Sequence, residues 1–170
     1  PYWFGSAGQR KYVVAEKVAA CAKEMGLRSD ISTSEADAIL GNDWMDFMMS
    51  GRATIGCEGG SSVLDWCGEI RAQIQAMLAA DPGLSFEAIS ACMPKGWDNY
   101  RFLTITPRHF EAVITKTCQV LVEGDYRGVL EPDRHYIPIK RDFSDLDQAL
   151  KKLCDKDLVH DIVERAYTDI

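Results

Sequence analysis

The stretch 106–112, TPRHFEA, combines residue types that can bind an anionic ligand at the start of a helix. Proline is favoured in the first helical turn, and Thr106 ahead of it can cap the exposed amides, so a helix is predicted to begin here. The free N–H groups attract anions, and Arg108 adds positive charge. Glu111 can accept hydrogen bonds from ligand hydroxyls. A simpler alternative is that Glu111 only favours the helix dipole and the stretch binds nothing.

Two further segments are rich in glycine and serine and are predicted to be loops whose amides approach an anion closely. Residues 5–11 read GSAGQRK and residues 58–62 read EGGSS. Neither segment matches a P-loop or a GxGxxG motif, so each is a weak signal by itself. Ligands bind beyond the carboxyl ends of parallel strands, and we expect these two loops and the 106–112 stretch to converge on that edge. The candidate residues that the loops contribute are Gly5, Lys11, Gly59, Gly60, Ser61 and Ser62.

The sequence contains no motif for nucleophilic or metal-dependent catalysis. GxSxG, HExxH and DxDxDG are absent, and the six cysteines form no CxxC pair, so no metal site and no cofactor are predicted. We expect reduced thiols, several of them buried, with Cys21 and Cys118 on apolar stretches. His135 and His160 are expected to be exposed or to have hydrogen-bonded structural roles.

Strand and helix patterns alternate along the chain, which predicts an α/β fold with a mostly parallel, Rossmann-like sheet and helices on both faces. A helical insertion is predicted at about 65–101, where two capped helices precede the loop PKGWDNYR. The other predicted elements are the strand PYWF, a glycine loop, a helix from Tyr12 to Met25, a second short strand LRSDIS, a helix over 44–50, the strand RATIGC, a helix over 107–116, the strands CQVLV and YIPI, and two C-terminal helices, the first capped by Ser144.

Composition limits the possible partners and location of the chain. Its 170 residues suit a single domain, 1–170, and its net charge of -7 argues against nucleic acid as the main partner. No apolar run approaches the roughly 18 residues of a membrane span, and no signal peptide is visible, so we expect a cytoplasmic location and no transmembrane segment. Because the chain starts at Pro1, we expect a fragment of something longer.

The segment from Thr106 onward contains, in order, a helix opened by FEA, an apolar strand, a glycine loop, the motif HYIP and a capped helix. This order resembles the C-terminal, nucleotide-sugar-binding domain of GT-B glycosyltransferases of the group 1 kind. The resemblance covers nearly the whole chain in outline. It implies a Rossmann-like donor domain of a two-domain enzyme, whose N-terminal domain would recognise an acceptor that remains unknown. The implied reaction is metal-independent transfer of a sugar from a nucleoside diphosphate to an acceptor hydroxyl.

The same resemblance assigns roles to individual residues. Glu111 matches the family glutamate that holds the donor's ribose hydroxyls, with Arg108 assisting at the phosphates. Gly5 and Lys11 match the spacing of the strand-end glycine and the diphosphate-binding lysine. The serines and glycines over 59–62 match the loop that faces the donor in some members. No catalytic residue is placed in this chain, and as an isolated fragment it is expected to be weakly active or inactive.

The chain departs from the family pattern at two positions and in the helical insertion. Ser6 stands where an arginine is expected, and Leu103 replaces the first glutamate of the E-x7-E pattern of many retaining members. These departures leave open a second hypothesis, a non-catalytic α/β interaction module that grips a partner through the 65–101 helices. An exposed apolar stripe there would favour that module, although packing inside the protein is the expected role. A related epimerase is a third possibility, for which no acid and base can be assigned.

Overall fold

The computed structural model describes residues 1–170 and divides them into two compact units. Unit 1 comprises residues 1–10 and 59–103, and unit 2 comprises residues 11–58 and 104–170. Unit 1 contains the predicted helical insertion, and unit 2 contains the stretch 106–112. The expectation of one donor-binding domain stays a prediction.

Seven α-helices and five strands make up the chain. The helices are α1 (Gly5–Glu24), α2 (Asn42–Ser50), α3 (Glu69–Ala80), α4 (Phe86–Ala91), α5 (Pro107–Ile114), α6 (Leu146–Lys152) and α7 (Lys156–Asp169). The strands are β1 (Ala53–Gly56), β2 (Gly59–Ser61), β3 (Phe102–Thr104), β4 (Cys118–Val122) and β5 (Ile137–Ile139). Short 3-10 helices occupy Tyr2–Phe4, Glu35–Asp37 and Tyr126–Gly128.

A three-stranded parallel sheet in the order β1-β4-β5 forms the centre of unit 2. Helices flank this sheet, and the predicted α/β, Rossmann-like fold class is confirmed. The central strand β4 is buried at every position, as its continuous apolar sequence CQVLV predicts for a strand covered on both faces. β1 is an edge strand and is only half-buried along its length.

Alternate residues of β4 contribute to two separate apolar clusters. Cys118, Val120 and Val122 pack with side chains of α1, α6 and α7 in the larger core. Leu121, between them in sequence, packs with Tyr126, Leu130 and Tyr136 on the opposite face. The hydroxyl of Tyr126 donates a 2.7 Å hydrogen bond to the carbonyl of Val122, which satisfies the only polar atom of that buried side chain.

Unit 1 has its own apolar core, formed largely by the predicted insertion. Ile74 of α3 and Ile89 of α4 are fully buried and pack with Val63, Met93 and Trp97. Tyr2 and Trp3 pack against the same cluster, and the guanidinium of Arg71 lies 5.1 Å from the ring centre of Trp3. The two helices of the insertion and the loop after them are therefore confirmed.

The N-terminal predictions were wrong. PYWF is not a strand: Tyr2–Phe4 forms a 3-10 helix and α1 starts at once at Gly5, so the predicted glycine loop 5–11 is helical. The aromatic side chains suggested a strand, but their packing in the core of unit 1 decides the local backbone. EGGSS is not a loop throughout either, because Gly59–Ser61 forms β2, which pairs with β3.

The remaining elements agree with the sequence except at two places. LRSDIS forms no strand, and α6 begins at Leu146 after Asp145, whose carboxylate accepts from the amide of Lys140, so Ser144 is not its capping residue. The helix over 107–116 is confirmed with its proline in the first turn, although the Thr106 side chain makes no capping hydrogen bond. The strands at 53–56, 118–122 and 137–139 are confirmed as well.

Replacing Gly60 by alanine is expected to destabilise unit 1 strongly. Gly60 has a φ of 132°, and a Cβ atom there would lie 1.9 Å from the backbone oxygen of Phe102. Gly26→Ala is the matched control, because Gly26 has a φ of 67° with open space around it. We expect Gly60→Ala to cost at least about 1 kcal/mol more than the control in urea unfolding, since it adds a clash to the backbone strain. An equal loss in the free energy of unfolding for the two variants would contradict the predicted clash at Gly60.

Candidate functional site

A cavity of about 530 Å³ in unit 2 is the candidate ligand site. It is walled by parts of α1, α2, β1, β4, the segment 30–40 and the first turn of α5. The segment 30–40 adds four polar side chains, Asp30, Ser32, Ser34 and Asp37. Apolar side chains also line it, notably Ile31, Trp44, Phe47 and Leu121. A concave site with mostly apolar walls and a few polar groups is typical of small-molecule binding.

The sheet supplies one wall of the cavity through residues that share a face. In the parallel register Gln119 of β4 lies beside Thr54 of β1, and Leu121 lies beside Gly56. All four line the cavity. A Cβ atom on Gly56 would come within 3.3 Å of Leu121 and 4.0 Å of the His109 ring. Gly56 therefore leaves room for the imidazole of His109 to lie over this face of the sheet.

Two polar atoms buried at this cavity have no hydrogen-bond partner. They are Nε2 of His109 and Oε1 of Gln119, on residues that are only 5% and 2% exposed. Each unpaired buried polar atom costs about 1–3 kcal/mol of folding free energy. Proteins commonly keep an unpaired buried polar atom where it binds a ligand, because functional sites often sacrifice folding stability.

The imidazole of His109 is held in its neutral form. Burial, with a smaller effect of the Lys11 charge, lowers the pKa of His109 from 6.5 to about 4. The ring also makes an edge contact with the ring of Tyr126, with centroids 5.3 Å apart. At neutral pH the histidine therefore offers hydrogen bonding to a ligand without charge.

Positive charge at the cavity comes from Lys11 and Arg108, both exposed. The guanidinium carbon of Arg108 lies 4.1 Å from the ring centre of Trp44, a cation–π contact that orients the side chain. The structure thus brings together two of the predicted donor-binding residues. Lys11 lies within α1 rather than on a loop, as the predicted loop is helical.

Glu111 makes a hydrogen bond that the sequence did not predict. The indole Nε1 of Trp44 donates to Oε2 of Glu111 at 2.8 Å. Glu111 is half-buried and is not among the residues that line the cavity, although Trp44 and Arg108 are. Its second oxygen, Oε1, makes no hydrogen bond within the chain. Glu111 therefore fixes the tryptophan under Arg108, and its predicted ribose contact stays a prediction.

The amides at the start of α1, predicted to cradle a diphosphate near Gly5, are already paired within unit 1. The amide of Ser6 donates to both carboxylate oxygens of Asp98 at 3.0 Å, and the amide of Ala7 donates to Oγ of Ser62 at 3.0 Å. A Cβ atom on Gly5 would lie 2.0 Å from Oδ1 of Asp98. Glycine is thus needed at position 5 for the approach of an internal carboxylate.

The other predicted donor-binding residues also belong to unit 1. Gly59, Gly60 and Ser61 form β2, and the Oγ of Ser61 accepts from the amide of Val63 at 3.0 Å. Ser62 is buried and accepts the α1 amide described above. The structure gives these serines structural partners, and their donor-binding role stays a prediction.

Three residues of the cavity escaped the sequence analysis as site residues: Trp44, His109 and Gln119. Gln119 carried a usable signal, because it is the single polar residue in the otherwise apolar strand CQVLV. A buried polar side chain on a central strand calls for a partner, and none could be named from the sequence. His109 lay in the quoted helix start but had no assigned role.

Neither a metal site nor a membrane span is found. No group of three or more His, Cys, Asp or Glu side chains could hold a metal ion. None of the helices is long and apolar enough to cross a membrane. Cys57 and Cys118 are buried, whereas Cys67, Cys92 and Cys154 are exposed.

His135 has the hydrogen-bonded structural role that was expected. It is buried, its Nδ1 accepts from the amide of Glu131 at 3.1 Å, and its Nε2 lies 3.1 Å from Oδ2 of Asp169. The same carboxylate pairs with Arg134. These contacts tie the segment before β5 to the end of α7. His160 is exposed on α7, the other outcome that was expected for these two histidines.

Comparison with known proteins gives no relative, since no family model, curated protein or solved structure matches the chain significantly.

Proposed function

We propose that the chain is the donor-binding domain of a GT-B glycosyltransferase and that the cavity of unit 2 holds the nucleoside diphosphate part of the donor. The observation that carries the proposal is the combination of two cations, Lys11 and Arg108, with apolar walls and unpaired buried polar atoms in one cavity. The parallel α/β sheet of unit 2 supports it, because this architecture commonly binds nucleotides. The start of α5 at the same cavity adds amides that favour an anion.

In this proposal the domain contributes binding and electrostatic stabilisation. As the bond from the sugar to the diphosphate breaks, negative charge grows on the leaving diphosphate. Lys11 and Arg108 would stabilise that charge without transferring a proton. Glu111 would reach the ribose through Oε1 while Oε2 stays bonded to Trp44. The acceptor hydroxyl and any general base would come from an N-terminal domain.

Loss of the cavity cations tests the proposal. We expect uridine or guanosine diphosphate to bind the 170-residue chain in titration calorimetry, and Arg108→Gln and Lys11→Gln each to weaken binding by about 1.5–3 kcal/mol, the scale for hydrogen bonds to charged groups. Lys116→Gln is the matched control, because Lys116 pairs with Glu164 away from the cavity. Full affinity in both cavity variants would exclude this site.

Glu111→Ala tests the ribose contact separately. We expect it to weaken diphosphate and monophosphate nucleotides equally, by one to a few kcal/mol, because both carry the same ribose. Trp44→Phe is the useful comparison, since it removes the indole donor but leaves the carboxylate. Unchanged nucleotide affinity in Glu111→Ala would contradict the ribose role.

The interaction-module alternative receives less support from unit 1. Ile74 is fully buried, and Ile70, Met77 and Leu78 pack against the same core, so the α3 stripe is not an exposed docking face. The 89% exposure of Trp66, just before α3, favours this alternative. Loss of partner capture in Trp66→Ala, with nucleotide binding absent, would support it.

A further inference from the structure

We propose that His109 and Gln119 form a nucleobase-reading subsite in the cavity of unit 2, selective for bases that present a ring N–H next to a carbonyl. The inference rests on the proposed function and specifies which part of the nucleotide lies deepest. Gln119 Oε1 would accept from the ring N–H, and His109 Nε2 would donate to the neighbouring carbonyl. Uracil and guanine have this edge, whereas cytosine and adenine do not.

The placement of the two side chains carries the inference. Both line the same cavity, both are more than nine-tenths buried, and each has one polar atom without a partner in the chain. Gln119 projects from β4 on the face that also presents Leu121, and the His109 ring lies over Gly56 of the neighbouring strand on that face. The unpaired acceptor and the unpaired imidazole nitrogen therefore belong to two buried residues that line one cavity.

The chemistry of the pair selects an uncharged ligand group. A carboxamide has no charge, and His109 stays neutral because burial lowers its pKa to about 4. A phosphate would gain little from two neutral side chains when Lys11 and Arg108 line the same cavity. These two cations are exposed, whereas the neutral pair is buried. The phosphates are thus expected near solvent and the uncharged end of the nucleotide inside.

The surrounding side chains favour a base over a sugar. Phe47, Ile31 and Leu121 line the cavity and would cover apolar faces of a planar ring. A hexose carries several hydroxyls and would need more buried partners than two. A base with a carbonyl next to a ring N–H satisfies both unpaired atoms and leaves its faces to the apolar walls.

Calorimetry with four nucleotides tests the subsite on the unmodified chain. We expect uridine and guanosine diphosphates to bind at least tenfold more tightly than cytidine and adenosine diphosphates. N3-methyl uridine diphosphate, which lacks the ring N–H, should bind more weakly than uridine diphosphate by a similar factor. Equal binding of the methylated and unmethylated nucleotides would overturn the inference without the use of any variant.

Two substitutions separate recognition from folding. Gln119→Met and His109→Leu remove the unpaired atoms, so the melting temperature without ligand should hold or rise while nucleotide affinity falls at least tenfold. Thr117→Val is the matched control: Thr117 is buried just before β4, and its hydroxyl donates to the carbonyl of Met48 at 3.0 Å. The Thr117→Val variant should have a lower melting temperature. The folded variant should keep the preference for uracil and guanine.

The outcomes distinguish the two proposals. If nucleotides bind and both cavity variants bind them equally well, the subsite is overturned while the donor-domain proposal stands. If no nucleoside diphosphate binds the folded chain at millimolar concentration, the donor-domain proposal and the subsite are both overturned. A lower melting temperature in Gln119→Met would also count against the subsite, because it would assign the glutamine a structural role.

Discussion

Leu121→Ala is expected to lower the free energy of unfolding by about 2–5 kcal/mol, the range for leucine truncations in protein cores. Leu121 is 1% exposed and lies on the central strand, between the cavity and the Tyr126–Tyr136 cluster. Truncation removes packing within that cluster and leaves a void that the strand cannot close, since β4 is hydrogen-bonded to β1 and β5 on its two sides.

Leu40→Ala is the matched control for this change. Leu40 is 80% exposed, so the same chemical truncation removes little packing and should cost less than about 0.5 kcal/mol. Urea unfolding followed by circular dichroism measures both variants. Similar losses at the two leucines would show that the sheet face under the cavity is not a packed core.

The unmodified chain is expected to lose about 2–3 kcal/mol of stability between pH 7 and pH 4 through His109 alone. The pKa of His109 is about 4 in the folded chain against 6.5 in the unfolded chain. The unfolded state therefore binds more protons between these values, and stability falls as the pH is lowered. The contribution is complete above pH 6.5 and is lost as the pH approaches 4.

Comparison of variants isolates the histidine from the carboxyl groups. His109→Leu should show a flatter stability profile between pH 6.5 and pH 4, whereas Gln119→Met keeps the histidine and should keep the original slope. Asp142, Asp147, Glu164 and Asp169 also have lowered pKa values, but they are common to all three proteins. Parallel profiles for the unmodified chain and His109→Leu would show that His109 is not buried.

The sequence was most informative where local pattern and burial coincide. CQVLV is apolar enough to be a strand covered on both faces, and β4 is that strand. The proline of the 106–112 stretch predicted the start of α5 correctly, because proline at the first turn depends on backbone geometry alone, whereas the predicted capping bond of the Thr106 side chain does not form.

At the N-terminus the local sequence pattern predicted the wrong structure. Aromatic residues followed by glycine and serine suggested a strand and a phosphate loop, yet α1 begins at Gly5. The amide of Ser6, the second residue of α1, is bonded to Asp98, 92 residues away in the sequence. No local signal reports that an anion from a distant part of the chain will cap this helix.

The sequence by itself determined the α/β class, the elements of the sheet and the position of the basic helix start, because each depends on periodicity or on residues that are neighbours in the chain. The tertiary structure alone decided what surrounds them. It gave Glu111 the indole of Trp44 as a partner, assigned Gly5 and Ser62 to unit 1 and Lys11 and Arg108 to unit 2, and placed His109 and Gln119, each with one unpaired side-chain atom, at one cavity. These contacts join residues far apart in sequence, and only the folded chain brings such groups together.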